Sequence, residues 1–498
     1  MAKRTTAFEL MLPPRDSGMP AHRWLYTVLR TEILEGRLRS GARLPGTRDL
    51  ARQYGLARGT IVNTFEQLKS EGYVDGSVGS GTYVSKVLPD EFLQVAHESG
   101  TQPRAQRKPR RKVSDYGRRV NPFPVLEVRP GRAFRANLPA LDLFPMALWA
   151  QVTSRRLRRV STNFLLGCGP MGYRPLRDAV ADYLVTSRGV KCVAEQVAIV
   201  SGVQEALDLV ARLFLNSGDR VCMEDPGYLG AAIVFEAVGA RISAIGLDSE
   251  GMKLPTLSRG ARLAYVTPAH QFPSGITMGL ARRLALLEWA RKSSTLIFED
   301  DYDSEYRYAG RPVPALQGLD RNGLVLFAGS FSKVLFPSLR LGYLVIPPDL
   351  QDYFAATKSV TSRHPPLLEQ AVLCDFITEG HFGRHLRRMR EVYAERLSVL
   401  LESAGQKLAG LLDISTVEAG LQTVGWLHGG IDGESAAKAA AAREVEVIPL
   451  SRYSYGRVPL EGLQLGFASV DTDEIRRGVQ ELAVALETES QALRRRER

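Results

Sequence analysis

The chain has 498 residues, of which 44% are hydrophobic and 24% charged, so it is long enough for at least two globular domains. It has no apolar run of membrane-spanning length, and its N-terminus lacks the apolar segment of a signal peptide. Its four cysteines are scattered without the spacing of a metal site or a disulfide framework. The sequence therefore predicts a cytoplasmic protein with no metal centre.

The net charge of +11 is concentrated near the N-terminus. Residues 1–130 contain 22 Lys and Arg against 13 Asp and Glu, which gives +9 and leaves +2 for the other 368 residues. A basic segment of this kind is typical of proteins that bind a polyanion, most often nucleic acid. The charge predicts an anionic partner but does not identify it.

The first predicted domain, residues 20–86, begins with three short helices. Apolar residues at helical spacing predict a first helix that ends at Gly36. Thr47 caps a second helix that runs to Tyr54, and a third helix covers about 60–71. Two short helices joined by a tight turn, with polar and basic residues on the second, are typical of a helix-turn-helix.

A hairpin is predicted next, because two β-rich runs between Gly72 and Val84 flank a tip of Gly and Ser. The whole stretch resembles the winged helix-turn-helix of the GntR regulators. The matching motifs are Leu44-Pro45-Gly46-Thr47-Arg48, Glu71-Gly72-Tyr73 and Gly79-Ser80-Gly81-Thr82. The resemblance implies that this domain binds double-stranded DNA.

Eight residues are the candidates for contact with DNA: Arg48, Arg58, Thr60, Asn63, Thr64, Gly79, Ser80 and Gly81. The family pattern implies the two arginines, Arg48 and Arg58. Thr60, Asn63 and Thr64 lie on the face of the third helix that is free of apolar residues. The hairpin tip, which holds Gly79, Ser80 and Gly81, allows close approach to phosphate. The residue types alone leave open that both arginines are merely solvated. Ala57 stands where the family usually has a capping serine, which weakens the helix start by about 1 kcal/mol.

A linker is predicted over residues 87–130, because the segment lacks sustained periodicity and its centre is basic and broken by proline. Two interpretations stay open: a solvated tether, and a tether that adds non-specific attraction to DNA. Its length would allow the small domain to sit on a neighbouring protomer.

The second predicted domain, residues 131–498, alternates helical and apolar strand-like segments, which indicates an α/β fold with a largely parallel sheet. A short strand ends at Ser201-Gly202-Val203, where a helix begins whose free N–H groups suit a phosphate. Another strand ends in Pro-Gly and presents Tyr228, whose ring could stack on a pyridine ring.

A third strand ends in consecutive carboxylates, Glu299-Asp300-Asp301, followed by Tyr302. Negative charge at a buried strand end requires a cationic partner, and a protonated pyridine nitrogen would supply one. Either Asp300 or Asp301 could take this role, because spacing alone does not separate adjacent carboxylates. Tyr302 would then reach the hydroxyl of the ring.

Lys333 lies among small hydroxyl residues. This setting suits a lysine whose side-chain amine holds an aldehyde as a Schiff base. Ser330, Ser332 and Arg340 match the oxygens of a phosphate nearby. The aldehyde that carries a phosphate is pyridoxal 5'-phosphate (PLP), and its protein signature is a lysine with an acidic partner for the ring nitrogen. The sequence therefore predicts a PLP site.

These motifs together resemble the MocR subfamily of GntR regulators, in which a winged helix precedes an aspartate-aminotransferase-like, fold-type I domain. The strings that carry the resemblance are residues 269–275, 299–306 and 330–333. The resemblance implies Lys333 as the internal aldimine and a homodimer, for which the linker allows a domain-swapped, head-to-tail arrangement. It implies these further cofactor contacts: Asp300, Tyr302, Tyr228, Ser201, Gly202, Val203, Ser330, Ser332 and Arg340.

The sequence departs from a working transaminase at the place of the arginine that clamps the substrate carboxylate. Gln464 stands there, in Leu463-Gln464-Leu465-Gly466-Phe467, and Phe272 replaces the fold's usual asparagine. Arg452 and Arg457 are the arginines that could compensate. The leading hypothesis is a regulator that responds to PLP or to a PLP-reactive amine and controls vitamin B6 metabolism. The alternatives are an aminotransferase with an accessory DNA-binding domain and a DNA-binding protein whose PLP domain only dimerises.

Overall fold

The structure is a computed structural model, which describes residues 13, 15, 18–77, 81–88, 111–121, 123, 131–254, 260–308, 313–456 and 461–496. The chain divides into two compact units, residues 1–111 and 112–498. The finer limits predicted at 86/87 and 130/131 stay predictions.

The first unit contains the three predicted helices and the predicted hairpin. Its helices are α1 (Ala21–Leu34), α2 (Thr47–Tyr54) and α3 (Arg58–Ser70), and its strands are β1 (Arg43–Leu44), β2 (Val74–Ser77) and β3 (Gly81–Val84). The strands form an antiparallel sheet in the order β1-β3-β2. A shared core holds it together, because Leu25, Leu29, Ile61 and Leu68 recur at helical spacing and are almost fully buried.

A short helix, α4 (Asp115–Val120), falls within the range predicted as linker. Ser114 caps it, since its side chain accepts a hydrogen bond from the Gly117 N–H at 3.1 Å. Arg119 Nε donates to the carbonyl of Ala237, and both residues belong to the second unit.

The second unit is built on an eight-stranded sheet. Its strands are Val197–Val200 (β4), Arg220–Asp225 (β5), Arg241–Asp248 (β6), Gly251–Met252 (β7), Ala261–Val266 (β8), Leu296–Asp301 (β9), Val325–Ser330 (β10) and Gly342–Val345 (β11). They lie in the order β4-β11-β10-β9-β8-β5-β6-β7. Strands β10, β9, β8, β5 and β6 run parallel, while β11 lies antiparallel between β10 and β4 and β7 lies antiparallel to β6. The central strands are apolar on both sides because helices cover both faces.

The helices that surround this sheet are Met146–Leu157 (α5), Thr162–Leu165 (α6), Arg174–Arg188 (α7), Val203–Phe214 (α8), Leu229–Ala237 (α9), Leu280–Ser293 (α10), Leu316–Leu319 (α11), Phe331–Val334 (α12), Gln351–Val360 (α13), Leu367–Thr378 (α14) and His381–Lys407 (α15). One face of the sheet packs against α8, α9 and α13, and the other packs against α7, α10, α14 and α15. The predicted α/β fold with a largely parallel sheet is confirmed.

The elements of the C-terminal part are Leu412–Ile414 (β12), Gln422–Leu427 (β13), Gly433–Ala441 (α16), Ile448–Pro449 (β14), Gly462–Gly466 (β15) and Thr472–Arg496 (α17). Its four strands form an antiparallel sheet in the order β12-β13-β15-β14. Within the described residues, every helix is too short or too polar to cross a membrane. The same part of the chain contains no cluster of three or more metal-ligating side chains.

Candidate functional site

A cavity of about 340 Å³ lies where β4, β5, β9 and β10 end. Strands that run in one direction bring their carboxyl ends to the same edge of a sheet, so segments far apart in sequence meet there. The described residues that line the cavity are Asn137, Gly202, Val203, Gln204, Tyr228, Tyr265, Phe272, Asp300, Tyr302, Ser330, Ser332, Lys333, Pro337 and Arg340. All but one of the predicted cofactor residues are among them.

The exception is Ser201, which lies just outside the described lining. Its backbone N–H donates to Glu205 Oε2 at 2.5 Å, and Glu205 Oε1 accepts from Lys358 Nζ at 2.6 Å. Lys358 is fully buried. This buried ion pair fixes the first turn of α8 and leaves Gly202 and Val203 at the cavity.

Lys333 lies in α12, the helical turn that follows β10 directly. Its Nζ donates to the carbonyl of Asn137 at 2.9 Å. Burial lowers the pKa of Lys333 to about 8, against the raising influence of Asp303 and Asp300. A sizeable fraction of this amine is therefore neutral near physiological pH, as a nucleophile requires.

Asp300 and Asp301, which the sequence did not separate, lie on opposite faces of β9. Successive side chains of a strand alternate between faces, so only one of the two can reach the cavity. Asp300 lines the cavity, whereas Asp301 accepts from Arg188 Nε at 2.8 Å in a pair whose side chains are 2% and 6% exposed.

The environment of Asp300 disfavours its negative charge. Its Oδ2 accepts from the Tyr265 hydroxyl at 2.7 Å, while Oδ1 is buried with no hydrogen-bond partner in the described part of the chain. Burial raises the pKa of Asp300 to about 7, despite the hydrogen bond from Tyr265. A cationic group placed against Oδ1 would restore the ionised form.

The start of α8 and the α12 region supply anion-binding groups. Gly202 has φ +95° and ψ 172°, a conformation that is essentially restricted to glycine, and a Cβ there would lie 3.7 Å from Arg340 Cζ. Ser332 Oγ is buried and, among described groups, has no hydrogen-bond partner. Ser330 Oγ accepts from the Ser332 N–H at 3.2 Å. Helix N–H groups, a hydroxyl and a guanidinium together suit a phosphate.

Aromatic rings form another wall of the cavity. Phe272 meets Tyr228 and Tyr302 edge-on, with centroid distances of 5.6 and 5.8 Å. The Tyr302 hydroxyl lies 3.0 Å from His270 Nδ1, which also lies 2.9 Å from the carboxylate of Asp303. Burial raises the pKa of Tyr228 to about 12, so its phenol stays protonated at neutral pH.

Five described lining residues were not predicted from the sequence as cavity residues: Asn137, Gln204, Tyr265, Phe272 and Pro337. Tyr265 lies inside β8 and has the sequence pattern of a core residue, so its contact with Asp300 depends on strand pairing across β8 and β9. Asn137 is far from every motif and contributes a backbone carbonyl, which leaves no signature in sequence. Gln204 directly follows Ser201-Gly202-Val203, the predicted phosphate-binding start of a helix. Its place in the first turn of that helix could have indicated that it lines the cavity.

The candidate DNA-binding residues of the first unit divide into two groups. Arg48, Arg58 and Asn63 are exposed, and Arg58 is the first residue of α3. Ala57 provides no side-chain cap, as the sequence predicts. The expectation that Thr64 faces outward is wrong. Its side chain is 1% exposed, and its hydroxyl donates to the Thr60 carbonyl at 2.9 Å.

The hairpin tip is described only in part. Gly79 and Ser80 lie outside the described residues, whereas Gly81 begins β3 with φ +93°. A Cβ at Gly81 would lie 2.9 Å from Arg43 Nε, so glycine leaves room for an exposed arginine beside the tip. Thr60 is half-buried at the start of α3.

Comparison with known proteins identifies relatives of both units. Residues 23–84 match the family described as bacterial regulatory proteins, gntR family. The probable rhizopine catabolism regulatory protein MocR of Rhizobium meliloti is 40% identical over 478 residues, 96% of each chain. The pyridoxine biosynthesis transcriptional regulator PdxR of Corynebacterium glutamicum is 29% identical over 474 residues, 95% of this chain and 97% of that one.

Solved structures resemble the second unit. A kynurenine aminotransferase from Pyrococcus horikoshii, in complex with PMP, is 29% identical with a TM-score of 0.67 and covers 72% of this chain and 90% of its own. The predicted combination of a winged helix-turn-helix with an aminotransferase-like fold is therefore confirmed.

Proposed function

Because this chain belongs to the MocR-type regulators of the GntR family, we propose that it binds PLP covalently through Lys333. Occupancy of the cavity by the cofactor or by an effector would then control DNA binding. The observation that carries the proposal is the cavity that joins Lys333, Asp300 and Arg340. A reactive amine, a carboxylate and a guanidinium are the groups that PLP requires.

The groups left unpaired in the cavity fit PLP. Asp300 Oδ1 and Ser332 Oγ are buried without a hydrogen-bond partner as far as the chain is described. A protonated ring nitrogen would satisfy Asp300, and a phosphate would satisfy Ser332 together with Arg340 and the α8 N–H groups. Both deficits thus match groups that one molecule of PLP carries.

When bound, PLP supplies an electrophilic carbon that condenses with primary amines. The residues of this chain prepare that chemistry. Burial keeps part of Lys333 neutral, Asp300 would hold a proton on the ring nitrogen, and Tyr228 would stack on the ring while Tyr302 binds its hydroxyl. Asn137 holds Nζ of Lys333 through its carbonyl.

For DNA, we propose that Arg48, Arg58, Thr60 and Asn63 make contacts, with the wing at Gly79, Ser80 and Gly81. Exposed arginines on and before α3 can reach phosphate or base edges. Thr64 is left out because its hydroxyl is committed inside the domain. We also propose a cytoplasmic homodimer, since twofold symmetry would match paired DNA half-sites.

Two effectors are compatible with this function. PLP itself is favoured by the similarity to the regulator of pyridoxine biosynthesis, and target genes in vitamin B6 metabolism would follow. A PLP-reactive amine is favoured by the similarity to the regulator of rhizopine catabolism. An aminotransferase is the second candidate function, because four of the solved structures that resemble the second unit are aminotransferases of 27–30% identity.

The proposal is tested with full-length protein incubated with PLP, reduced with borohydride and digested for mass spectrometry. We expect the cofactor mass on the Lys333 peptide, its loss in Lys333→Ala, and retention in the control Lys292→Ala, an exposed lysine. DNA binding is then measured with and without PLP by fluorescence anisotropy. Absence of the adduct, or a DNA affinity that is the same with PLP, without PLP and with every amine tested, would reject the proposal.

A further inference from the structure

A buried histidine and a buried aspartate lie behind the cavity and contact one of its lining residues. His270 follows β8 and is 3% exposed, and Asp303 follows β9 and is fully buried. His270 Nδ1 lies 2.9 and 3.1 Å from the two carboxylate oxygens of Asp303. It also lies 3.0 Å from the hydroxyl of Tyr302, which lines the cavity. The pair therefore reaches the cavity through Tyr302.

The fold brings these three side chains together from neighbouring strands. β8 and β9 pair in parallel, so the segments that leave their carboxyl ends lie side by side. The imidazole of His270 and the ring of Tyr302 are stacked, with centroids 5.8 Å apart. A Cβ at Gly420 would clash with His270 Cε1 and would lie 2.7 Å from Asp303 Oδ2. Glycine at position 420 therefore leaves the room in which the histidine and the aspartate meet.

The partners of His270 Nδ1 determine where its proton lies. A carboxylate only accepts hydrogen bonds, so the bond to Asp303 requires a proton on Nδ1. This requirement is the same whether or not Nε2 is protonated as well. A ring nitrogen that carries a proton has no lone pair with which to accept a hydrogen bond. In the contact with Tyr302, the histidine is therefore the donor and the phenol oxygen is the acceptor.

This arrangement leaves the phenol proton of Tyr302 for a partner other than His270. Burial raises the pKa of Tyr302 well above its ordinary value, and Asp303 and Asp300 raise it further. The hydroxyl consequently stays protonated at neutral pH. Because the Tyr302 side chain lines the cavity, its O–H group can donate to a ligand there. A histidine with a lone pair on Nδ1 would instead compete with that ligand for the proton.

We propose that His270 and Asp303 are positioning residues that keep Tyr302 a hydrogen-bond donor to the bound cofactor. The inference rests on the proposed function, which places the ring hydroxyl of PLP beside Tyr302. When that hydroxyl is ionised, a hydrogen bond donated to it is about twice as strong as one between neutral groups. Asp303 fixes the tautomer of His270, and His270 fixes the direction in which Tyr302 donates.

The test measures the PLP dissociation constant of full-length protein and, after loading, the ratio of the visible absorption bands that belong to differently protonated forms of the cofactor. Tyr302→Phe removes the donor and should weaken PLP binding about tenfold. Asp303→Asn keeps the shape of the side chain, but its amide can donate to Nδ1 and so allows the other tautomer of His270. It should also weaken binding about tenfold and change the band ratio in the same direction as Tyr302→Phe.

The double variant separates this role from the charge of Asp303. In a Tyr302→Phe background, the phenol proton is already absent, so Asp303→Asn removes only the charge. The factor by which Asp303→Asn weakens PLP binding should therefore be at least threefold smaller in that background than in the wild type.

Two substitutions of His270 provide a matched comparison. The amide nitrogen of asparagine can take the place of Nδ1 and donate to both oxygens. His270→Asn should therefore stay within threefold of the wild-type affinity. His270→Leu removes the donor and leaves the Asp303 carboxylate as a competing acceptor, so it should weaken PLP binding as much as Tyr302→Phe does.

Urea unfolding first establishes which variants are folded, and the two His270 variants decide the test if Asp303→Asn is not. The inference would be overturned by an equal loss from Asp303→Asn in both backgrounds, or by a His270→Asn variant that binds PLP no better than His270→Leu. Unchanged PLP binding in Tyr302→Phe would overturn it as well. PLP uptake by the wild type is measured before these comparisons, because its absence rejects the proposed function rather than the role of the pair.

Discussion

Asp300→Asn and Asp301→Asn should change the unfolding free energy of the cofactor-free protein in opposite directions. Asp300 is a buried carboxylate with one unpaired oxygen, and its pKa is raised from 3.8 to about 7. Above the folded-state pKa, the cost of ionising it in the folded protein approaches about 4 kcal/mol, since each unit of pKa is about 1.4 kcal/mol. Asp300→Asn removes this cost and keeps an acceptor for Tyr265.

Asp301 is in the opposite situation, because it neutralises Arg188 across 2.8 Å in a buried pair. Removing one partner of such a pair leaves an uncompensated charge and costs about 3–5 kcal/mol. Asp301→Asn should therefore destabilise the cofactor-free protein, while Asp300→Asn stabilises it at pH 8.

The assay is urea unfolding of cofactor-free protein, followed by tryptophan fluorescence between pH 5 and pH 8. A raised carboxyl pKa contributes stability that is fully present below the unfolded pKa and is lost as pH rises through the folded pKa. The gain in Asp300→Asn should therefore be largest at pH 8 and should shrink towards pH 5. If Asp300→Asn destabilises the protein at pH 8 as much as Asp301→Asn does, the assignment of the two residues is wrong.

Three further substitutions test other parts of the protein. Gly202→Ala should lower the unfolding free energy of the cofactor-free protein by about 1–3 kcal/mol in urea unfolding, because its φ and ψ are restricted to glycine, and an unchanged unfolding free energy would contradict this. Lys358→Met should lower the unfolding free energy by about 3 kcal/mol by leaving Glu205 without its ion pair, whereas a stable variant would show that water compensates it. Arg58→Ala should weaken DNA binding and reduce the salt slope by about 1 if it contacts a phosphate, while Thr64→Val should leave that slope unchanged.

Much of the fold could be predicted from sequence because its signals are local. The wing and the three helices follow from apolar spacing and from Gly and Pro positions, and the predicted third helix, about 60–71, corresponds to Arg58–Ser70. Thr64 shows the limit of that reasoning. Its polarity indicated an exposed position, but its hydroxyl is satisfied by the carbonyls of Thr60 and His22 inside the domain.

Site residues could be predicted from the sequence where the type of side chain indicates its chemistry. They could not be predicted where their role depends on which strands lie side by side. Lys333 and the carboxylates at the end of β9 were identified from their neighbours. The separation of Asp300 from Asp301 required the alternation of β9 and the positions of Tyr265 and Arg188 around it. Those partners come from β8 and α7, and no local pattern connects them to β9.

The cavity also indicates how cofactor occupancy can be coupled to a regulatory response. Without a cation at Oδ1, Asp300 raises the free energy of the folded second unit at neutral pH, and a ligand that brings a protonated nitrogen relieves that cost. A ligand shifts a conformational equilibrium only through its differential affinity for the two states. Asp300 would supply this difference in affinity if the protein has a second conformation in which its carboxylate is exposed to water. The ligand would then bind more tightly to the conformation that buries the carboxylate. Asp300→Asn should accordingly weaken PLP binding and reduce the effect of PLP on DNA affinity, even though it stabilises the cofactor-free protein.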